Sequence, residues 1–333
     1  MSSISRRRFN TGAAVTAITT AALARGSKMS AEAAQEVAQV QKAVPIITEQ
    51  LLHATALLEV SERNGQNSTG TGFFYQFFNH NGLSLSAIVT NRHVVENALT
   101  VSCTFTEATK DQTPVFGKTK RIPLTGSSSD WIFHPDPTVD LAVALIGDGV
   151  SKAAARGENY MLSYSDQSLI PTESEYRDLT PLEDVLIVGY PDGISDTVNN
   201  VPVFRRGITA TPVYLDFRGM PQFLLDAAIF PGSSGSPVFL FNQGAWAPRS
   251  GGLQMGARIK LIGIIYAVAQ HQTNGEIVFQ PAPTQNLPSV RSLIPNNIGA
   301  CIKSSKILDF EPLFVKRGLK PPEGYEMRSK LIL

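Results

Sequence analysis

The chain has 333 residues, of which 43% are hydrophobic and 17% are charged, and its formal net charge is +1. This composition is typical of a globular protein with one large or two ordinary domains. The nearly neutral charge gives no general electrostatic reason for binding nucleic acid, so nucleic acid is not an expected partner.

The first 24 residues resemble a twin-arginine export signal. Residues 5–9 read SRRRF, a mild apolar stretch follows up to Ala24, and residues 22–24 (ALA) form a small-residue cleavage site. The apolar stretch is too short to span a bilayer comfortably, so we expect a removed signal and no stable membrane insertion afterwards. The resemblance implies a bacterial protein exported to the periplasm or secreted. The alternative is a basic, disordered tail.

Residues 25–53 are predicted to form a helical extension, with a helix over residues 30–43 and Ser30 as its N-cap. From Ala54 onward the pattern changes to short apolar runs that are bounded by Gly, Asn, Asp or Pro, which favours an all-β barrel or sandwich. The predicted strands are 54–60, 72–78, 84–90, 99–105, 141–146, 185–188, 223–225, 238–241, 261–268 and 277–280.

These runs divide into two β regions, 54–147 and 185–302. The more polar segment 148–184 is predicted to connect them, and residues 303–333 are predicted to form a C-terminal helix with a serine N-cap, ended by Pro321 and Pro322, and a tail.

Cysteine and histidine patterns give little support for a metal site. Cys103 and Cys301 are far apart, and the sequence leaves open whether they form a disulfide or remain two buried thiols. Four histidines show no paired ligand spacing and are expected to be surface or capping residues, so no metal or other cofactor is expected. These histidines are His53, His80, His134 and His271.

Three short segments place a histidine, an aspartate and a serine beside predicted strands. His93 follows an apolar run, Asp140 begins one, and Ser234 lies in a glycine-flanked turn. A serine hydroxyl needs a neutral imidazole to take its proton, and that imidazole needs a buried carboxylate to fix its tautomer. Glycines allow such a turn to present backbone N–H groups where an oxyanion develops. We therefore predict a catalytic triad of His93, Asp140 and Ser234.

The acid of this triad has two candidates. Asp140 is preferred because it opens an apolar strand that would hold its carboxylate rigidly. Asp136 lies between two prolines, where a turn-capping role is expected. The order His, Asp, Ser is that of the chymotrypsin class, and the G-x-S-x-G elbow of α/β-hydrolases is excluded because position 236 is Ser.

The sequence resembles the trypsin-like peptidases, and in particular the HtrA (high-temperature-requirement) group of bacterial envelope proteases. The matching segments are TGTGF at 69–73, TNRHVVEN at 90–97, VDLAVAL at 139–145, IVGYP at 187–191, RGIT at 206–209, DAAI at 226–229 before Pro231-Gly232, and IGACI at 298–302. The resemblance implies two six-stranded antiparallel β-barrels of the chymotrypsin type. It also implies a serine endopeptidase acting on unfolded or exposed polypeptides, with an oxyanion hole at Gly232, Ser233 and Ser234 in which the first and last provide the N–H donors.

Two positions depart from the family pattern. Ser233 replaces the usual Asn or Asp before the nucleophile, and Ser236 replaces the usual Gly two positions after it. The absence of Asp at 233 argues against activation by a newly formed N-terminus. About thirty residues follow Ile302, too few for the PDZ domain that HtrA proteases usually carry, so regulation through such a domain is not expected.

By resemblance, the specificity pocket has Ala228 at its floor and Tyr266, Ala267 and Val268 along its wall. An apolar pocket without an acidic floor predicts a modest preference for small or medium aliphatic side chains. Two other functions remain open: a catalytically silent binding module or chaperone with the protease fold, and an acyl-ester hydrolase with the same triad. The sequence leaves the oligomeric state open.

Overall fold

The computed structural model describes residues 47–125, 130–274 and 291–329. The predicted export signal (1–24), the predicted helix over 30–43 and the predicted strand 277–280 lie outside the described residues. Of the helical extension, the structure describes one short helix, α1 (Ile47–Leu51).

The N-terminal half forms an eight-stranded sheet with the order β5-β4-β1-β2-β3-β7-β6, and β8 pairs in parallel with β2. Alternate side chains of β1, such as Leu58 and Val60, are buried, as expected for a sheet with one face toward a core. The short helix α2 (Arg92–Val95) follows β3 directly. The strands are β1 (Thr55–Glu62), β2 (Asn67–His80), β3 (Leu83–Thr90), β4 (Ala98–Ala108), β5 (Pro114–Thr125), β6 (Ile132–Phe133), β7 (Ala142–Leu145) and β8 (Ser165–Asp166).

The C-terminal half forms a closed six-stranded barrel with the order β10-β11-β14-β13-β12-β9. The predicted all-β, chymotrypsin-like two-barrel fold is confirmed, although the first sheet has eight strands instead of six because the two-residue strands β6 and β8 join it. The strands of the second barrel are β9 (Asp184–Gly189), β10 (Val203–Thr209), β11 (Gln222–Asp226), β12 (Pro237–Trp246), β13 (Gln254–Asn274) and β14 (Arg291–Lys303).

A shared apolar core joins the two halves. Phe73, Tyr75 and Phe77 of β2 belong to the same buried cluster as Val188 of β9 and Phe239 of β12. Each large apolar side chain that is buried in this way contributes about 1.5–3 kcal/mol. The cluster holds the halves together and thereby fixes the position of residues that lie at their junction.

The segment between the halves contains two helices, α3 (Gly147–Ala155) and α4 (Glu173–Asp178). Helix α4 begins with a capping box, in which the Thr172 side chain accepts from the Glu175 N–H and the Glu175 side chain accepts from the Thr172 N–H. The sequence pattern indicated a connection here without resolving these helices.

The C-terminal helix, α5 (Phe310–Lys316), is preceded by a 3₁₀ turn (Ser304–Asp309). The predicted serine N-cap is wrong, because the Ser304 hydroxyl donates to the Leu261 carbonyl (2.6 Å) instead. The prediction that Pro321 and Pro322 end the helix is also wrong. The helix ends before them at Lys316, and Gly318, whose φ of 87° permits the left-handed turn that closes many helices, follows its C-cap Arg317.

Cys103 on β4 and Cys301 on β14 are buried and unpaired. Burial raises the pKa of both thiols, so they remain protonated and unreactive at neutral pH. In the described ranges, no helix combines the length and the apolar character needed to cross a membrane.

Candidate active site

His93 lies at the junction of the two halves, on helix α2 just after β3. Asn91, between the strand and the helix, is buried, and its Nδ2 donates to the Asp140 carbonyl (2.8 Å). The His93 N–H donates to Asp140 Oδ1 (2.9 Å). These two bonds, each between one side chain and one backbone group, connect the start of α2 to the segment that leads into β7.

The structure places Asp140, and not Asp136, beside His93. Asp140 Oδ2 lies 2.5 Å from His93 Nδ1. Asp136 instead accepts from the Thr138 N–H (2.9 Å) and hydroxyl (2.7 Å), and these bonds lower its pKa. Asp136 therefore closes its own turn.

Ser234 approaches His93 from the second barrel. Its Oγ lies 3.0 Å from His93 Nε2, so the side chains of Asp140, His93 and Ser234 form a continuous hydrogen-bonded row. The His93 side chain is 45% exposed and that of Asp140 is 23% exposed. The imidazole is thus accessible to a ligand, while the carboxylate behind it is largely covered.

The turn around Ser234 requires its two glycines. Gly232 has a φ of 80°, and a Cβ there would lie 2.7 Å from the Tyr190 carbonyl oxygen. Gly235 has a φ of 86°, and a Cβ there would lie 1.9 Å from the Thr71 carbonyl oxygen. Neither position can accept a larger residue without moving backbone.

Two N–H groups of this turn have no acceptor among the described residues: those of Gly232 and Ser234. Their neighbours are bonded, since the Ser233 N–H donates to Phe230 O (3.1 Å) and the Gly235 N–H donates to Ile265 O (2.8 Å). The predicted oxyanion-hole set therefore needs one correction: Ser233 has its N–H engaged and its side chain fully buried, and it belongs to the framework of the turn. The two unbonded donors are available to an anion.

Thr71 on β2 ties the turn to the first half, a role that the sequence did not reveal. Its N–H donates to Ser234 O (2.8 Å) and its hydroxyl to Gly232 O (3.0 Å), while the Tyr190 N–H donates to the same hydroxyl (3.2 Å). Thr71 is fully buried. In the sequence, the family-like segment TGTGF that contains Thr71 was the one feature that could have indicated this role.

Arg205 on β10 is a second residue that the sequence did not assign to the site. Its guanidinium donates to the Ala228 carbonyl and, from Nη2, to Ser233 Oγ (3.1 Å). Burial lowers the pKa of Arg205 to about 10, while the carboxylate of Asp192 acts in the opposite direction.

Of the predicted pocket residues, Ala228 and Ala267 are exposed, and Tyr266 is partly buried. The Tyr266 hydroxyl donates to Gln222 Oε1. Burial raises the pKa of Tyr266, with a further contribution from the charge of Asp140. The side chain of Val268 lies outside the described residues, and the pocket assignment stays a prediction.

Of the two alternatives for the other histidines, a surface position is wrong for His53 and His134, because both are buried, and burial lowers the pKa of His53. His134 does act as a cap, since its Nδ1 accepts from the Asp136 N–H (3.1 Å). His53 lies just before β1 and His134 directly after β6. In the part of the chain that the structure describes, no three His, Cys, Asp or Glu side chains are grouped so as to hold a metal ion.

Comparison with solved structures matches the chain to several proteases at low sequence identity. The Rv3671c protease from M. tuberculosis in its active form is 14% identical, with a TM-score of 0.40 over 84% of this chain and 87% of that chain. The thermostable serine protease AL20 from an extremophilic microorganism is 12% identical, with a TM-score of 0.41 over 76% and 92%. The inactivated protease paralogue S-I1 of the scabies mite is 14% identical, with a TM-score of 0.40 over 80% and 97%.

No curated protein sequence matches the chain significantly. Residues 70–246, however, match the model of the trypsin-like peptidase domain. That match covers more than half of the chain and includes the segments around His93, Asp140 and Ser234. The chain therefore belongs to the trypsin-like peptidase family.

Proposed function

We propose that this chain is a serine endopeptidase that hydrolyses peptide bonds in exposed or unfolded polypeptides through an acyl-enzyme. The observation that carries the proposal is the hydrogen-bonded row from Asp140 through His93 to Ser234, with distances of 2.5 and 3.0 Å. This row ends beside two backbone donors that have no acceptor among the described residues. A nucleophile, its base, the partner of that base and an anion site are the parts that acyl transfer needs.

Asp140 selects the tautomer of the imidazole. Its carboxylate accepts from the His93 backbone N–H and faces Nδ1, which favours the tautomer with the proton on Nδ1. Nε2 then presents its lone pair to the Ser234 hydroxyl. The same carboxylate stabilises the imidazolium once Nε2 has taken the proton.

In the acylation step, Ser234 Oγ bonds to the carbonyl carbon of the scissile peptide as its proton moves to His93 Nε2. The carbonyl oxygen becomes an oxyanion that accepts from the N–H groups of Gly232 and Ser234. When the C–N bond breaks, His93 returns the proton to the leaving amine. Water then attacks the acyl-enzyme with His93 again as the base, which releases the acid and restores the hydroxyl.

The substrate class is proposed from the site and from the resemblance to HtrA proteases. The reacting groups are partly exposed at the junction of the two halves, where an extended polypeptide segment has access. We propose a preference for Ala, Val or Leu before the scissile bond, with Ala228, Tyr266, Ala267 and Val268 as pocket residues. We further propose export through the twin-arginine signal, so that the substrates are polypeptides of the cell envelope or the exterior.

The test is digestion of one polypeptide in two states, folded and unfolded by reduction and alkylation of its cysteines. Wild type and Ser234→Ala are compared, and the cleavage sites are read by mass spectrometry. We expect wild type to cut the unfolded form, mostly after small or medium aliphatic residues, and Ser234→Ala to cut neither form. Hydrolysis of p-nitrophenyl esters without peptide cleavage would identify an acyl-ester hydrolase instead. Binding of the unfolded form without cleavage would identify a binding module.

A further inference from the structure

We propose that Arg205 is a positioning residue, which holds the 228–234 segment so that the N–H groups of Gly232 and Ser234 point to the developing oxyanion. The inference rests on the proposed function. It concerns a side chain that does not touch the reacting atoms and acts through the backbone that does.

The first observation is where the ladder between β10 and β11 stops. The two strands pair at Thr209–Leu225 and Ile208–Asp226, and there the pairing ends. The chain still passes close to β10, because a Cβ at Gly207 would lie 2.6 Å from the Ala227 Cβ. Beyond this point the Ala228 carbonyl receives its hydrogen bond from the Arg205 guanidinium. The Arg205 side chain therefore connects β10 to the chain after β11 at the point where the backbone hydrogen bonds between the two strands have ended.

The second observation is the other arm of the guanidinium. Nη2 donates to the hydroxyl of Ser233, which is fully buried. The same hydroxyl accepts from the Phe230 N–H (3.3 Å), and the Ser233 N–H returns a bond to Phe230 O (3.1 Å). Arg205 therefore binds both Ala228, at the start of the 228–234 segment, and Ser233, in the small turn that precedes the nucleophile.

These two hydrogen bonds to one segment suit the geometry of a guanidinium. Arginine presents several N–H donors in a rigid planar fork, whereas lysine presents a single flexible ammonium. Hydrogen bonds from a charged donor are roughly twice as strong as neutral ones. Partial burial of the cation has a desolvation cost that lowers its pKa, and the charge of the nearby Asp192 offsets part of that cost.

The consequence for catalysis follows from chain connectivity. Gly232 and Ser234, whose N–H groups lack an acceptor among the described residues, are the direct neighbours of Ser233. When Ser233 is fixed, the peptide plane that carries the Ser234 N–H loses most of its freedom to rotate. The plane that carries the Gly232 N–H lies one peptide bond earlier in the same segment, and the Asp192 N–H holds it by donating to the Pro231 carbonyl (2.6 Å). Oxyanion donors act only if they already point to where the charge develops, so a turn that is free to rotate would lose stabilisation of the transition state.

The neighbouring arginine offers a matched control. Arg206 is exposed, as expected from the alternation of side chains along a strand, whereas Arg205 is partly buried. Replacing either one by Met removes one positive charge from the same strand and keeps an unbranched stem. A difference between the two variants therefore reports the contacts of Arg205 and not the change in net charge.

The experiment compares wild type, Arg205→Met, Arg205→Lys and Arg206→Met in three measurements: the rate of labelling by a fluorophosphonate, kcat and KM on a peptide, and hydrogen–deuterium exchange of residues 228–234. We expect labelling rate and kcat to fall about 10–100-fold in Arg205→Met with KM within about twofold, since the lost interaction acts in the transition state. Arg205→Lys should recover part of the loss, Arg206→Met should match wild type, and exchange should accelerate only in the Arg205 variants.

Ser233→Ala provides a milder variant, because it removes one of the two acceptors and leaves the guanidinium in place. If the two side chains act through their shared contact, the loss of labelling rate in the double variant should be smaller than the product of the two single losses. A folded Arg205→Met protein that is labelled within twofold of wild type, with unchanged exchange, would overturn the inference while leaving the protease intact. Absence of labelling in wild type would instead count against the proposed function, and the exchange data would still decide whether Arg205 holds the segment.

Discussion

Among the described residues, two aspartate–histidine pairs lie in very different surroundings. In the first, Asp140 lies 2.5 Å from His93, and the histidine side chain is 45% exposed. In the second, Asp309 lies 3.4 Å from His134, whose side chain is completely buried. The first pair lies where the two halves meet, and the second lies where the C-terminal 3₁₀ turn packs on the first sheet.

The ring nitrogen that faces away from the carboxylate distinguishes the pairs. For His93 that atom, Nε2, faces the Ser234 hydroxyl at the surface. For His134 it is Nδ1, which accepts from the Asp136 N–H (3.1 Å) within the protein. The Asp309 carboxylate is also bound by Lys306 (2.8 Å). An aspartate–histidine pair can thus act in acid–base catalysis only when the imidazole nitrogen that faces away from the carboxylate is open to a reacting group.

The largest effect that we expect is loss of the nucleophile or of the base. Ser234→Ala and His93→Ala should each lower kcat by about 10⁶-fold, and the double variant should lose little more, because the two residues act as one unit. Steady-state hydrolysis of a peptide measures this. Clearly additive losses would contradict a shared role.

The next effect separates the two candidate acids. Asp140→Asn should lower kcat by about 10⁴-fold, because an amide favours the wrong imidazole tautomer. Asp136→Asn is the control, because the Asp136 carboxylate bonds only within its own turn among the described residues, and the kcat of this variant should stay within a few-fold of wild type. Equal losses in the two variants would remove the distinction between the carboxylates.

The second pair should affect stability and leave activity unchanged. Burial alone would raise the pKa of Asp309, but its contacts with His134 and Lys306 outweigh that effect and lower it. His134→Leu removes one of these contacts and leaves the Asp136 N–H without its acceptor, while Lys306 still binds the carboxylate, so the variant should reduce the free energy of unfolding by about 1–3 kcal/mol. Urea denaturation measures that cost, and kcat/KM of the folded variant should remain within about twofold. A large loss of kcat/KM would mean that this pair also serves the reaction.

A smaller effect concerns Glu311, near the second pair. Burial raises its pKa to about 7, although the Tyr325 hydroxyl that donates to it (2.6 Å) and the charge of Arg328 act against the shift. A raised pKa means that the fold prefers the protonated acid. This stabilisation is complete below the unfolded pKa of about 4.5 and is lost as the pH rises through 7.

Wild type should therefore lose about 2 kcal/mol between pH 5 and pH 8 relative to Glu311→Gln, whose side chain does not titrate. Urea denaturation across this range measures the difference. Parallel curves for the two proteins would show that Glu311 has no such role.

The sequence was informative where a reactive residue adjoins a strongly apolar strand. His93, Asp140 and Ser234 each lie beside such a run, so their positions in the barrels followed from the pattern. The apolar runs of the second half predicted most of its strands but left a barrel and a sandwich open, and the resemblance to the trypsin-like peptidases implied the closed barrel. The turn at 232–235 was recognisable because Gly232 and Gly235 allow backbone angles and close backbone contacts that other residues do not.

The sequence was uninformative where a contact joins distant parts of the chain. Arg205 is one of two adjacent arginines in a strand, and its acceptors come from a segment more than twenty residues later. The pairing of His134 with Asp309 likewise depends on how the C-terminus packs. The serine N-cap failed for the same reason, since the Ser304 hydroxyl finds a carbonyl on β13. Local patterns do not contain such tertiary hydrogen bonds.

The central claim is that Ser234 is an activated nucleophile, and covalent trapping tests it most directly. Folded wild type, Ser234→Ala and Asp140→Asn would be treated with a fluorophosphonate, and the modified peptide would be located by mass spectrometry. We predict one adduct per chain on Ser234 in wild type, none in Ser234→Ala, and much slower labelling in Asp140→Asn. An unmodified wild-type protein, or an adduct on another residue, would contradict the account.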